Sequence, residues 1–419
     1  MSTKVFISDI HLSDTTTGDH NITANTLEGF WNDIQGDIEN AGGKDKLEII
    51  ILGDFIDIIR STQWTGDIQP WEKDLNRIKG IVEKIVDEVI SKNKPVFDAL
   101  NDYVNKEKIK ITYIMGNHDR LINSEGYDDI RKSIRDASGI THAKDKGEPF
   151  PWEYRVERLP IYAVHGNNFD VYNKTKNNAL PIGDAIVTLL INQYPEEVKK
   201  RLNDPQLNDL QIYKALQEID NLRPSTIAPY WIDHVKKTLK PEKQNVLIDT
   251  WNTLSGKFFD NKFVKDWLRE HDYWSLLPDD ADKLEIAFKH FTDTTLERIY
   301  EKFLEIKKDF IKETDQNAVE ALKLSDENKC DYVLFGHTHE SCVQLLNVEN
   351  GKEKYYINTG TWRRRIVPGG YKKKQIVFGQ QESIDYVLFK IDKKSNEIKG
   401  FQLWNGTSNR GELFYKREE

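Results

Sequence analysis

Cysteine is almost missing from this 419-residue chain, which has only Cys330 and Cys342. Two thiols make no disulfide framework; they read as small buried side chains in a reducing compartment. No apolar run is long enough to span a bilayer, and no charged-then-apolar leader precedes Val5, Phe6 and Ile7. Both observations predict a cytoplasmic chain without a transmembrane segment. A basic excess is also lacking, because the formal charge is -9. Net charge therefore does not indicate nucleic acid as a partner, although phosphate substrates stay open, since bound cations would dominate the local field. Internal repeats and low-complexity tracts are absent too. What is left is an ordinary globular balance, in a length that suits one domain carrying a large insertion.

Short apolar runs are there, and five of them stop at polar residues able to bind a metal. Lys4–Ile7 ends at Asp9, and Leu47–Leu52 at Gly53-Asp54. Ile109–Met115 ends at Gly116-Asn117, Ile161–Val164 at His165, and Tyr332–Phe335 at Gly336-His337. Continuous runs of this length suit strands buried on both faces, with helices outside. In such α/β layers functional groups gather at the carboxyl ends of the strands. Between the runs, Trp71–Ile90 carries Leu75, Ile78, Ile81, Val82, Ile85, Val86 and Val89 at helical spacing, a single buried stripe. Asn317–Asn328 reads as a helix feeding the strand at Tyr332.

Residues 171–312 differ. This stretch is nearly free of strand signals, reads as helices at Asp184–Asn192, Ile227–Leu239 and Leu284–Ile311, and holds Trp231, Trp251, Trp267 and Trp274. Pro224, Pro229, Pro241 and Pro278 mark helix boundaries. The predicted organisation is a core in two parts, 1–170 and 313–419, split by a helical insertion that could cap the site or serve an oligomer contact. After Asn358 the chain turns β-rich, with Gln375–Phe378, Ile384–Ile391 and Ile398–Leu403 expected in the second layer of a sandwich, and turns at Lys393–Ser395 and Asn405-Gly406. The fold class is thus α/β: a two-sheet β-sandwich flanked by helices, with an all-helical insertion.

The candidate ligands are Asp9, His11, Asp54, Asn117, His165, His337 and His339. Of the ten histidines, His11, His118, His165, His337 and His339 fall at these strand ends. Imidazole, carboxylate and amide donors without thiolates fit divalent Mn, Fe, Zn or Ni rather than a structural zinc site. Seven ligands exceed one ion and suit two that share a carboxylate. In Asp9-Ile10-His11, alternate residues of an extended segment would reach the same side. Glycines beside these ligands, Gly53, Gly116, Gly166 and Gly336, let the backbone turn sharply into a crowded centre.

In order, SDIHL, GDFID, GNHD, HG and GHTH resemble the calcineurin-like metallophosphoesterase family, over about residues 3–170 and 313–362. The resemblance implies that Asp9, His11 and His339 bind one ion, Asn117, His165 and His337 a second, and Asp54 both. His118 would contact the phosphate and act as general acid, with Asp119 able to orient it. No departure occurs at the seven ligand positions or at His118. The implied reaction is two-metal hydrolysis of a phosphoester, with the attacking oxygen from between ions roughly 3.5–4 Å apart. Manganese is the favoured metal.

Arg120, after the GNHD stretch, and Arg363 and Arg364, in Trp362-Arg363-Arg364-Arg365, are candidates for holding substrate phosphate. Lys372-Lys373-Lys374 reads as a loop run, and Asp57 as a support to the centre or a helix cap. A phosphodiester or nucleotide-type substrate is favoured. The alternatives are a DNA or RNA nuclease, a pyrophosphatase resembling those that cleave UDP-diacylglucosamine, suggested by Asn167, Asn168 and Asp170, and a non-catalytic scaffold. Leu12 stands where protein phosphatases of the family carry glycine.

Overall fold

The computed structural model of the chain describes residues 2–41, 47–64, 68–140, 146–175, 180–202, 211–223, 225–272, 279–288, 316–372, 375–392, 394–406 and 408–410. Its first three strands, β1 (Ser2–Ile7), β2 (Leu47–Leu52) and β3 (Lys110–Ile114), pair in parallel. Four helices cover their outer face: α1 (Ala24–Ala41), α2 (Leu75–Lys92), α3 (Lys94–Asn105) and α4 (Asp128–Ser138). The β2 sequence Leu-Glu-Ile-Ile-Ile-Leu explains the layering. Ile49 and Ile51 pack against the helices, while Ile50 and Leu52 face the interior between the sheets. The helical stripe of α2 buries Ile78, Val82, Ile85, Val86 and Val89, but Leu75 at the helix start stays 70% exposed.

A second sheet faces the first. It is built from β4 (Glu153–Arg155), β5 (Ile161–Val164), β6 (Tyr332–Phe335), β7 (Cys342–Glu349) and β8 (Lys352–Asn358), in the order β4-β5-β6-β8-β7. Phe6, Ile50, Leu52 and Ile114 of the first sheet meet Tyr154, Ile161, Ala163, Leu334 and Ile357 of the second. Each fully buried Leu, Ile or Phe among them contributes on the order of 1.5–3 kcal/mol. Helical residues 316–328 cover the outer face, where Ala318 and Ala321 pack on Val333, Phe335 and Tyr356.

The C-terminal strands correct the expected layering. β9 (Arg365–Lys372), β10 (Gln375–Glu382) and β13 (Ser408–Arg410) form a small separate sheet, while β11 (Asp385–Ile391) and β12 (Ile398–Asn405) join the first sheet at β1. Local alternation specifies a strand but not the edge it pairs with, and the free side of β1 takes β11 in antiparallel register.

Every helix or strand described between residues 182 and 288 is helical: α5 (Ile182–Ala185), continued by the π-helical Ile186–Ile191, then α6 (Gln193–Leu202), α7 (Gln211–Gln217), α8 (Ala228–Lys236), α9 (Pro241–Asp260), α10 (Lys262–His271) and α11 (Asp280–Phe288). They share a core around Tyr194, Trp231, Leu247, Trp251 and Phe258. Ile366 of β9 is buried in this core and bridges to Leu222, so the small sheet is packed against the helices. Trp274, most of the expected 284–311 helix and Lys373-Lys374 lie outside the described residues. Among the described residues no helix is long and apolar enough to cross a membrane.

Candidate metal centre

Both sheets end their parallel strands at the same edge, and there the seven candidate ligands converge. Asp9 and His11 follow β1, Asp54 follows β2, Asn117 follows β3, His165 follows β5, and His337 and His339 follow β6. Asp9 and His11 do not lie on an extended segment as expected. Their φ angles are 52° and 53°, and Asp54, His337 and His339 are also left-handed, at 49°, 68° and 62°. Non-glycine residues hold this conformation at a cost of about 1–3 kcal/mol each, and only where the surroundings enforce it. Backbone bonds from Asp9 N to Gly53 O (3.2 Å) and from His11 N to Asp54 O (2.8 Å) help to do so. Glycine is required beside them for space. A Cβ on Gly53 would lie 2.3 Å from His165 Nδ1, and one on Gly116 would lie 2.2 Å from Asp54 Oδ1.

Ligand atoms fall into clusters. Asp9, His11 and His339 form one group, and Asp54, His165 and His337 another. Asp54 Oδ2 lies between them, 3.2 Å from His165 Nε2 and 3.7 Å from His11 Nε2. Asn117 Oδ1 is 3.2 Å from His165 Nε2, on the second group's side. Hydrogen bonds fix which nitrogens face inward. His165 Nδ1 donates to Leu52 O (2.9 Å) and His11 Nδ1 to Asp57 Oδ2 (2.8 Å), so in its neutral form each ring turns an Nε2 lone pair to the centre. His337 Nε2 is engaged by Asp170 Oδ2 (2.9 Å), which leaves Nδ1 as its ligand atom. Asp9 Oδ1 is buried without a hydrogen-bond partner, 3.2 Å from His339 Nε2 and 3.7 Å from His11 Nε2. An unpartnered buried carboxylate oxygen facing imidazole nitrogens is a donor set that fits divalent cations. These residues fit two ions.

His118 stands beside this centre, its ring 5.0 Å from that of His11. Its Nδ1 donates to Asp57 Oδ1 at 2.8 Å, so Asp57 holds His11 and His118 with one oxygen each. Burial opposes charge on His118, but Asp57 and Asp54 outweigh it and raise its pKa. Asp119, expected to orient His118, instead accepts from Gly116 N (2.6 Å), Phe55 N (3.1 Å) and Tyr113 Oη (2.5 Å). It is wholly buried beneath the loop, where burial and then Asp54 push its pKa up to about 7. Asp119 thus shapes the turn, and Asp57 is the carboxylate at His118.

The expected phosphate-binding arginines are engaged elsewhere. Arg120 Nη1 donates to Asn117 O (2.9 Å), and its Nη2 pairs with Asp184. Arg363, only 2% exposed, donates to Asn221 Oδ1 (2.6 Å) and Asp220 Oδ2 (2.7 Å). Arg364 pairs with Glu218 (3.0 Å) and Glu382 (2.9 Å). Their partners belong to the helical stretch, apart from Asn117, Glu382 and Asp57 (3.8 Å from Arg363 Nη1), so these guanidiniums join it to the sheets rather than face a ligand. Arg60 completes the junction, 2.8 Å from Asp220 and 3.2 Å from Asp57. One cation that the sequence reading missed does reach the centre: Arg223 Nη2 lies 3.0 Å from His339 Nδ1. Burial, then the like charge of Arg60, lowers the Arg223 pKa to about 10 despite Asp220. No local motif marks Arg223, because 116 residues separate it from His339.

Compared with known proteins, residues 3–341 match the family model described as calcineurin-like phosphoesterase. No curated protein matches the chain at a significant level.

Proposed function

The chain belongs to the calcineurin-like phosphoesterase family and is a metal-dependent phosphoester hydrolase; on that footing we propose that it cleaves a phosphodiester or nucleotide-type substrate, with His118 as the general acid. The observation that carries this reading is the pairing of two ligand clusters around Asp54 with an imidazole held next to them. Asp9, His11 and His339 would hold one divalent ion, Asn117, His165 and His337 the other, and Asp54 both, with manganese the favoured metal. When bound, such ions polarise water for attack and neutralise phosphoryl oxygens.

The chain's own residues supply the rest. Asp57 fixes the His118 ring through Nδ1, which leaves Nε2 to give its proton to the departing oxygen. Asp57 and Asp54 raise the His118 pKa and so favour the protonated ring that can donate. Asp57 also holds His11, so the acid and a ligand keep a fixed relation. His118→Asn or His118→Gln is expected to keep bound metal and to lower turnover by about 10²–10⁴-fold, the range for a placed proton donor. Turnover of H118N near wild type would overturn the general-acid assignment. Substrate preference is tested by the ratio of turnover on bis(4-nitrophenyl) phosphate to that on 4-nitrophenyl phosphate with Mn²⁺. A ratio above one is expected, and one well below it would sink the diester preference.

A further inference from the structure

His339 is held at both ring nitrogens. A guanidinium can only donate, so the 3.0 Å contact from Arg223 makes Nδ1 the acceptor. In the neutral ring Nε2 then carries the hydrogen and donates to His11 Nε2, also 3.0 Å away. For His339 to serve a metal through Nε2, that nitrogen must offer its lone pair, and the hydrogen moves to Nδ1. Nδ1–H cannot accept from Arg223. Metal ligation through Nε2 and the Arg223 contact therefore exclude each other.

Arg223 is half-buried and, among the described residues, has no carboxylate within ion-pair distance. Its other bonds are to the backbone, with Nη1 donating to Asp220 O (3.1 Å) and Leu222 O (2.8 Å). Asp220 is instead the partner of Arg60 and Arg363. Arg365 lies on the same side, donating to His339 O at 2.7 Å, and its Nε is buried without an acceptor, as is Nη1 of Arg60. This wall thus carries surplus guanidinium charge and unused donors beside a centre built for phosphate. Once displaced from His339, Arg223 has Nη2 and Nε hydrogens to offer, in the fork geometry that suits phosphate oxygens.

We infer that Arg223 is a substrate-binding residue supplied by the helical stretch: metal ligation by His339 turns its guanidinium from the imidazole to an anionic oxygen of the substrate phosphate. This rests on the phosphoesterase reading of the same centre. It also means that metal loading and readiness to hold phosphate are coupled through one side chain.

The test uses the full chain and the variants Arg223→Gln and Arg223→Lys, with calorimetric titration of Mn²⁺, then of inorganic phosphate into the Mn²⁺-loaded protein. Removing the competing contact and a nearby positive charge is expected to tighten Mn²⁺ binding in R223Q by about tenfold, and to weaken phosphate binding by about 10–100-fold. R223K keeps the charge without the fork and is expected between R223Q and wild type for phosphate. A purely structural role would weaken both affinities together, and that result, or unchanged phosphate affinity, overturns the inference. If R223Q does not fold, the R223K result decides by the same signs. A wild-type chain that binds Mn²⁺ but no phosphate overturns the phosphoesterase reading as well, whereas normal wild-type binding with insensitive variants overturns only the role of Arg223.

Discussion

Replacing Asp57 by asparagine should damage the centre in a way that reveals its wiring. Asp57 is fully buried and accepts five hydrogen bonds or ion pairs: His11 Nδ1 (2.8 Å), His118 Nδ1 (2.8 Å), Arg60 N (3.0 Å), Arg60 Nε (3.2 Å) and, more distantly, Arg363 Nη1 (3.8 Å). Asparagine has one accepting oxygen and an NH₂ group that donates. It can hold one imidazole N–H, but it sets its own N–H against the other. The displaced ring must rotate or change tautomer. If that ring is His11, its Nε2 takes the hydrogen and loses the lone pair owed to a metal; if it is His118, the ring loses the carboxylate that raises its pKa and fixes its orientation. Partners of this kind are typically worth about 10–100-fold in metal affinity or activity. The assay is bound metal per chain after dialysis at fixed free Mn²⁺, with kcat and KM on bis(4-nitrophenyl) phosphate. A fall in bound metal would identify His11 as the displaced ring, and a fall in kcat with full occupancy would identify His118. D57N with both quantities at wild-type values would refute the reasoning.

Two further outcomes are expected. Gly116→Ala would drive a Cβ to within 2.2 Å of Asp54 Oδ1 and 2.7 Å of Asp54 N, so the Asp54 carboxylate must move; turnover should fall by about 10²-fold, as for an ångström-scale misplacement, and a fully active G116A would show that the loop yields. Glu48 sits in register between Lys4 and Lys110 on neighbouring strands and accepts from Tyr154 Oη (3.0 Å) across the sandwich. Burial opposes its charge, yet Lys4, Lys110 and Thr112 lower its pKa from 4.5 to about 2. A depressed carboxylate stabilises the fold above its unfolded pKa, and the gain, about 3 kcal/mol by linkage, is lost as pH falls from 4.5 towards about 2. Urea unfolding should therefore show wild type and Glu48→Gln converging across that window; a gap that does not change with pH would contradict it.

Much of this centre was legible because its parts are local. An apolar run, a glycine and a metal-binding side chain each fit within a few residues, and repetition at five strand ends fixed their common edge. What escaped is long-range or conformational. Asp119 adjoins His118 in the sequence whereas Asp57 lies 61 positions away, and only packing shows that the distant carboxylate reaches its ring while the adjacent one turns under the loop. Arg363 and Arg364 looked like phosphate ligands because their partners, Glu218, Asp220 and Asn221, lie more than a hundred positions away. The left-handed backbone at Asp9 and His11 overrode the period-two reading of an otherwise sound strand. Ile384–Ile391 and Ile398–Leu403 were strands as expected, but pairing with β1 rather than local pattern chose their sheet.

The salt-bridged junction at Asp220 bears on how such a chain can be rearranged by recombination. A segment that only rests on its host can be exchanged for another of similar length, since each side keeps its own charges balanced. Here Asp220 lies on one side of the splice and Arg60 and Arg363 on the other, both buried and both adjoining Asp57. A transplant of the helical stretch alone would bury an aspartate with no cation to meet it. The reciprocal deletion would leave two guanidiniums competing for the carboxylate that holds His11 and His118. Breaking a buried pair in this way costs about 3–5 kcal/mol. Ancestors and designed chimeras of this architecture must therefore inherit the helices together with Arg60 and Arg363, as one heritable unit drawn from three distant parts of the sequence.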